Sequence, residues 1–184
     1  MTAALFLRPD DTLLLSYVES NYDNDQLRAL IYDVQQLKVL PLLGTALYNE
    51  LDTQVTANTV TSDNTSLLNK LSPCIRMYVL SMGEEVFNYK FRNKGIMKMN
   101  SDNSQSVDLD VLDRLVRKYS DQAQEYAQRV TNFLVANSST YPLFSSPGTA
   151  SDTIVPMTNS YQIGLYLGKG SCCSPLDDYI DLNG

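Results

Sequence analysis

Apolar residues return every three or four positions in four stretches of the chain, the period of a helix that buries one face. In the first, Asp25 to Leu40, the residues Leu27, Leu30, Ile31, Val34 and Leu37 form one stripe. Asn24 or Asp23 supplies a capping side chain at its start. Pro41 is expected to end or sharply bend this helix, because proline disfavours helical geometry in the residue before it. The segment LLGTALYNEL at 42–51 reads as a tight turn at Gly44 followed by a short helix capped by Thr45, giving a helix hairpin. A third stretch, Thr65 to Phe91, lines up Leu68, Leu71, Ile75, Tyr78, Met82, Val86 and Tyr89. Pro73 lies within it and either kinks the helix or marks its true start after Ser72. The fourth, Leu109 to Ala136, places Leu112, Leu115, Val116, Tyr119, Ala123, Tyr126, Val130, Phe133 and Leu134 on one face. Its other face carries Asp110 with Arg114, Asp113 with Arg117 and Glu125 with Arg129. These acid-to-base i,i+4 pairs are each worth about 0.2–0.5 kcal/mol, which predicts a solvated face.

The helical period stops after Asn137, where Ser, Thr, Pro and Gly dominate as far as Ser160. A stretch of that composition does not build a core of its own. Beyond it Tyr161, Ile163, Leu165 and Leu167 alternate with Gln162, Gly164, Tyr166 and Gly168, the period of an extended strand. A lone strand requires another beside it, so these four residues are candidates for binding a partner by strand addition. The expected fold is mainly α: an antiparallel bundle of about four helices at residues 1–136, and a long extended C-terminal arm containing a β-strand at 137–184.

Composition narrows the function. The 184 residues carry a net charge of −7, which argues against a protein whose main task is to wrap nucleic acid. With no histidine in the chain, neither a Ser-His-Asp nor a Cys-His arrangement can be built. Glu84 and Glu85 are consecutive on a predicted helix and point about 100° apart, while Asp10–Asp11 and Asp177–Asp178 sit at expected element ends. No nucleotide-binding glycine loop or HExxH string occurs. The expectation is a protein without enzymatic activity, cofactor or metal. Cys74 lies in a helical pattern and Cys172 with Cys173 near the end, an odd set that reads as free thiols in a reducing cell. No apolar run approaches the roughly 20 residues that span a bilayer, so no membrane partner is expected. One local excess of positive charge stands out, since Lys90, Arg92, Lys94 and Lys98 have no acid among them between Val86 and Ser101. This segment is either a solvated loop or a basic surface turned toward DNA or an acidic protein.

The order QQLKVLPLLGTALYNELDTQV, then a long helix containing LSPCIRMYVL, then NKGIMKMNSDNS, then a helix ending YAQRVTNFLVANSSTYPLF resembles the head-to-tail connector proteins of tailed bacteriophages, in particular those of crAss-like phages. The resemblance covers roughly residues 17 to 144. It implies a structural virion protein made in the bacterial host cytoplasm, assembling with itself as an adaptor ring, usually a dodecamer. Such a ring binds the portal protein, docks tail-side proteins and extends the channel for DNA that passes without sequence-specific contacts. The family brings no catalytic residues to carry over. A stopper or completion protein lower in the same channel and a soluble helical interaction module are the competing expectations.

Overall fold

The computed structural model describes residues 4–11, 14, 24–92, 95–98, 109–146 and 153–158. The chain is mainly helical, as expected. Helix α1 (Asn24–Val34) buries Leu27, Leu30, Ile31 and Val34, an i, i+3, i+4, i+7 set that is one helical face. A π-helical turn follows (Gln35–Val39), closed by the Leu40 N–H donating to the Gln35 carbonyl. It leads directly into the short α2 (Leu40–Leu43). Pro41 therefore does not end the first helix. Its ring would strike the carbonyl four residues back in an α-helix, and a widened turn is one way to relieve that clash. The widened turn also changes the phase, so that Gln35 and Val39 are buried and Leu37, expected in the core stripe, is 60% exposed.

Gly44 separates α2 from α3 (Thr45–Ala57). Its N–H donates to Leu40 (2.9 Å) and its carbonyl accepts from Tyr48 (3.1 Å), so one residue closes one helix and opens the next. Asn58 then adopts φ 54°, its N–H donating to Val55 and that of Thr59 to Gln54, a left-handed cap that satisfies the last carbonyls of α3. Helix α4 (Ser62–Asn88) begins earlier than the expected Thr65 and runs through Pro73 without interruption. Thr61 caps it by accepting from the Asn64 N–H (3.2 Å). Buried Asn64 donates in turn to Glu50 (3.2 Å) and Gln54 (2.8 Å) of α3. The helix stops at Asn88, short of the expected Phe91. Tyr89–Arg92 (β1) and Gly95–Lys98 (β2) form an antiparallel hairpin in place of an irregular loop.

Helix α5 (Leu109–Ala136) returns along α4. The Cys74 thiol meets the Ala123 carbonyl (3.6 Å), Ser81 donates to Val116 (3.3 Å) and Lys70 lies over the Phe133 ring (4.9 Å). Advancing along one helix means retreating along the other, so the pair is antiparallel. Leu71, Cys74, Ile75 and Tyr78 pack with Ala123, Val130 and Leu134 in the core, while Tyr119, Tyr126 and Phe133 are half-buried against it. On the outer face two of the three expected arginines make other contacts: Arg114 Nε donates to the backbone carbonyl of Asp110 (3.2 Å) and Arg129 sits over the Tyr126 ring (5.3 Å).

The packed body does not end at Ala136. Tyr141 is buried, donates its hydroxyl to the Asp63 carbonyl (2.6 Å) and leans on Phe133, while Phe144 of the short α6 (Pro142–Ser145) is buried in the same core. Two aromatic residues thus anchor a stretch whose composition suggested none. At the other end Phe6, Leu7 and Leu14 join the core. Gln35, fully buried, accepts from the Phe6 N–H (2.7 Å) and donates to the Ala4 carbonyl (3.1 Å), and the Phe6 and Tyr48 rings pack at 5.1 Å. Arg76 reaches Asp11 (3.4 Å) and Ser72 (3.2 Å), joining the N-terminal segment to α4.

Two predictions follow from these buried groups. Gln35→Leu strands the Phe6 N–H, and a buried donor without a partner costs about 1–3 kcal/mol. Thermal melting should show that loss, and an unchanged midpoint would mean the amide is dispensable. Burial also pushes the Cys74 thiol and the Tyr78 phenol each up to about 12. Because both are raised on folding, their contribution is fully present below the unfolded values, near 9 and 10, and is lost as pH rises toward 12. A denaturation series at rising pH should therefore show a plateau below about pH 9 and falling stability above it, with a shallower fall in Cys74→Ala.

Candidate functional site

The surface next to the π-helical turn is an open groove of about 660 Å³ between residues 37–42, the middle of α5 and Met157, with Tyr78 also in its lining. Leu37, Pro41 and Met157 give it an apolar wall, and Asp121, Glu125 and Gln128 a polar one. Lys38 holds its ammonium over the Tyr78 ring at 5.5 Å. Asp121 and Glu125 are exposed and stand four residues apart, on one face of α5.

One rim of the groove is the segment 153–158, fastened across α2 and α3. The Thr45 N–H donates to the Ile154 carbonyl (3.0 Å), the Ile154 N–H to Thr45 Oγ1 (2.8 Å) and the Met157 N–H to the Pro41 carbonyl (3.3 Å). Thr45 was expected to cap α3. Gly44 holds the N-cap position instead, and the threonine hydroxyl is used to bind the returning chain. Gly44 itself adopts φ 78° and ψ 158°, a region nearly closed to residues with a side chain. A Cβ there would lie 2.7 Å from Pro156 Cδ and 3.0 Å from the Ile154 carbonyl. Pro156 is buried against this notch, while Ile154, Val155 and Met157 are exposed. The fastened segment therefore shows a row of apolar side chains to solvent.

The residues singled out from sequence fall elsewhere. Tyr161, Ile163, Leu165 and Leu167 lie outside the described residues, as do Lys94, Cys172 and Cys173. Lys90, Arg92 and Lys98 belong to the hairpin, with Lys90 opposite Met97, Arg92 opposite Gly95 and Lys98 opposite Tyr89. Sequence reasoning missed the groove, because it arises from the phase change that turns Leu37 outward. It also missed the fastened segment, although Val155–Pro156 signals extended backbone. Among the described residues no cluster of three or more His, Cys, Asp or Glu could hold a metal ion, and no helix is long and apolar enough to cross a membrane.

Fold and surface together define a helical protein with an open, part-apolar groove beside a clasped extended segment. By sequence the chain belongs to a family of unknown function (DUF6712), matched over residues 39–154. The match begins at the end of the π-helical turn and reaches the first hydrogen bond of the clasp. No curated protein and no solved structure shows significant similarity to the chain.

The notch predicts a specific cost. Gly44→Ala forces a side chain into a left-handed backbone and against Pro156, for about 1–3 kcal/mol of lost stability, whereas Ala46→Gly, within α3, costs about 1 kcal/mol or less. Chemical denaturation of both variants checks the order, and the reverse ranking would place Gly44 in ordinary helix.

Proposed function

We propose that this chain is a structural subunit of the head-to-tail connector of a tailed bacteriophage, forming a ring beneath the portal that extends the DNA channel and docks the tail. The observation that carries the reading is the surface around the clasp, where Leu37, Val155 and Met157 stand 60%, 66% and 52% exposed beside an open groove. Apolar side chains grouped at a concave surface are a feature of contact faces. The order of segments along residues 17–144, which resembles that of connector proteins, supplies the identity of the assembly. The role is architectural: a helical body gives the ring its wall, and neighbours cover the apolar rim. The net charge of −7 suits a channel lining that does not grip passing DNA.

Image reconstruction of the intact virion tests the proposal. The expected result is a symmetric ring of this fold between portal and tail, and purified full-length chain should form closed rings as its concentration rises. Virions lacking the chain in that position would overturn the reading.

A further inference from the structure

We propose that the basic β1–β2 hairpin of one subunit seats on the acidic wall of the groove in the next, a head-to-tail contact between copies of this chain. The inference rests on the ring assembly proposed above and names the contact that would close it.

The argument starts from charge. Copies that each carry a net charge of −7 repel on average, and a contact that sets the few concentrated cations against acids relieves that repulsion. The sequence concentrates cations without intervening acids between Val86 and Ser101, and the hairpin register orders them. Lys90 and Arg92 alternate with Tyr89 and Phe91 along β1, opposite Met97, Gly95, Lys98 and Ile96. Alternation along a strand assigns Lys90 and Arg92 to one face of the ladder with Met97. That face combines two cations with one apolar residue.

The groove presents the complement. Asp121 and Glu125 have no ion-pair partner among the described residues, and across from them Leu37 and Met157 offer apolar surface. Its own lysine, Lys38, is occupied over Tyr78. Lys90 and Arg92 are two residues apart on a strand, a spacing of about 7 Å, and Asp121 and Glu125 are one helical turn apart, about 6 Å. The two spacings are close enough for two cations to meet two carboxylates at once. Within one subunit the hairpin starts eleven residues past Tyr78 on α4, about 16 Å along the axis, and its main contacts are to α4 and within itself. A surface patch meeting a different patch on the next copy is a heterologous contact, which closes into a ring where the rotation between copies returns to its start.

Charge exchange tests this with the full-length chain. Light scattering across a concentration series at low salt would be measured for K90E/R92E, for D121K/E125K and for the four changes combined. Neutral D121N/E125Q serves as the milder form of the second arm should reversal disturb folding, which circular dichroism monitors. Each pair should raise the concentration of half-assembly at least about tenfold, and the combination should return it to within about threefold of the native value. Loss in each pair without recovery in the combination would overturn the contact. Assembly indifferent to every variant would overturn it as well and leave the ring reading standing. A native chain that stays monomeric at every concentration would overturn both.

Discussion

The buried amide of Gln35 is the constraint on which the groove side of the molecule depends. A primary amide removed from water must find both a donor and acceptors or forfeit several kcal/mol. Here it accepts from Phe6 and donates to Ala4, which holds the N-terminal segment against the core as a neighbouring strand would. Gln35 opens the π turn at Gln35–Val39, the widening that also accommodates Pro41. The consequences run along the chain. Leu37 is turned out, Val39 and Leu43 are turned in, and Gly44 arrives at the point where the returning segment crosses.

The clasp shows how local backbone chemistry becomes a surface property. Gly44 is used where any side chain would collide with Pro156, and Thr45 is used where both its N–H and its hydroxyl can meet Ile154. Because proline offers no N–H, the hydrogen bonds of the segment fall on the residues around it, and Pro156 contributes shape alone. With Pro156 inside, the extended geometry sends Val155 and Met157 outward. Their exposure is thus a consequence of the anchoring at Gly44.

Much of the helical framework was legible in the sequence, and the reasons for the failures are physical. The stripe of α1 held from Leu27 to Val34 because a regular helix repeats every 3.6 residues. It failed at Leu37 because the π turn abandons that period. Gly44 was legible as a turn because few residues tolerate its geometry, yet the partner that fills the notch lies more than a hundred residues away and leaves no local signal. The hairpin was overlooked for a different reason. Tyr89–Lys90–Phe91–Arg92 alternates apolar and basic residues, a strand signature, but Tyr89 also continues the helical stripe from Met82 and Val86, so the two periods overlap there. Tyr141 and Phe144 were missed because composition averages over a window, whereas two well-placed aromatics are enough to fasten a polar stretch to a core.

The candidate surface was the least legible part, and it had to be. A core announces itself by periodicity within one element, whereas this groove is assembled from the π turn, the middle of α5 and a residue near position 157, none of which is unusual alone. Its acidic wall comes from the solvated face of α5, which sequence reasoning assigned to ion pairs within the helix. Arg129 instead covers Tyr126, so Glu125 is not neutralised by its expected partner. An exposed intrahelical pair of that kind is worth only tenths of a kcal/mol, and a cation–ring contact is enough to outweigh it. The weakness of such pairs is why Glu125 stands exposed beside Asp121 in the groove without a measurable cost to the fold.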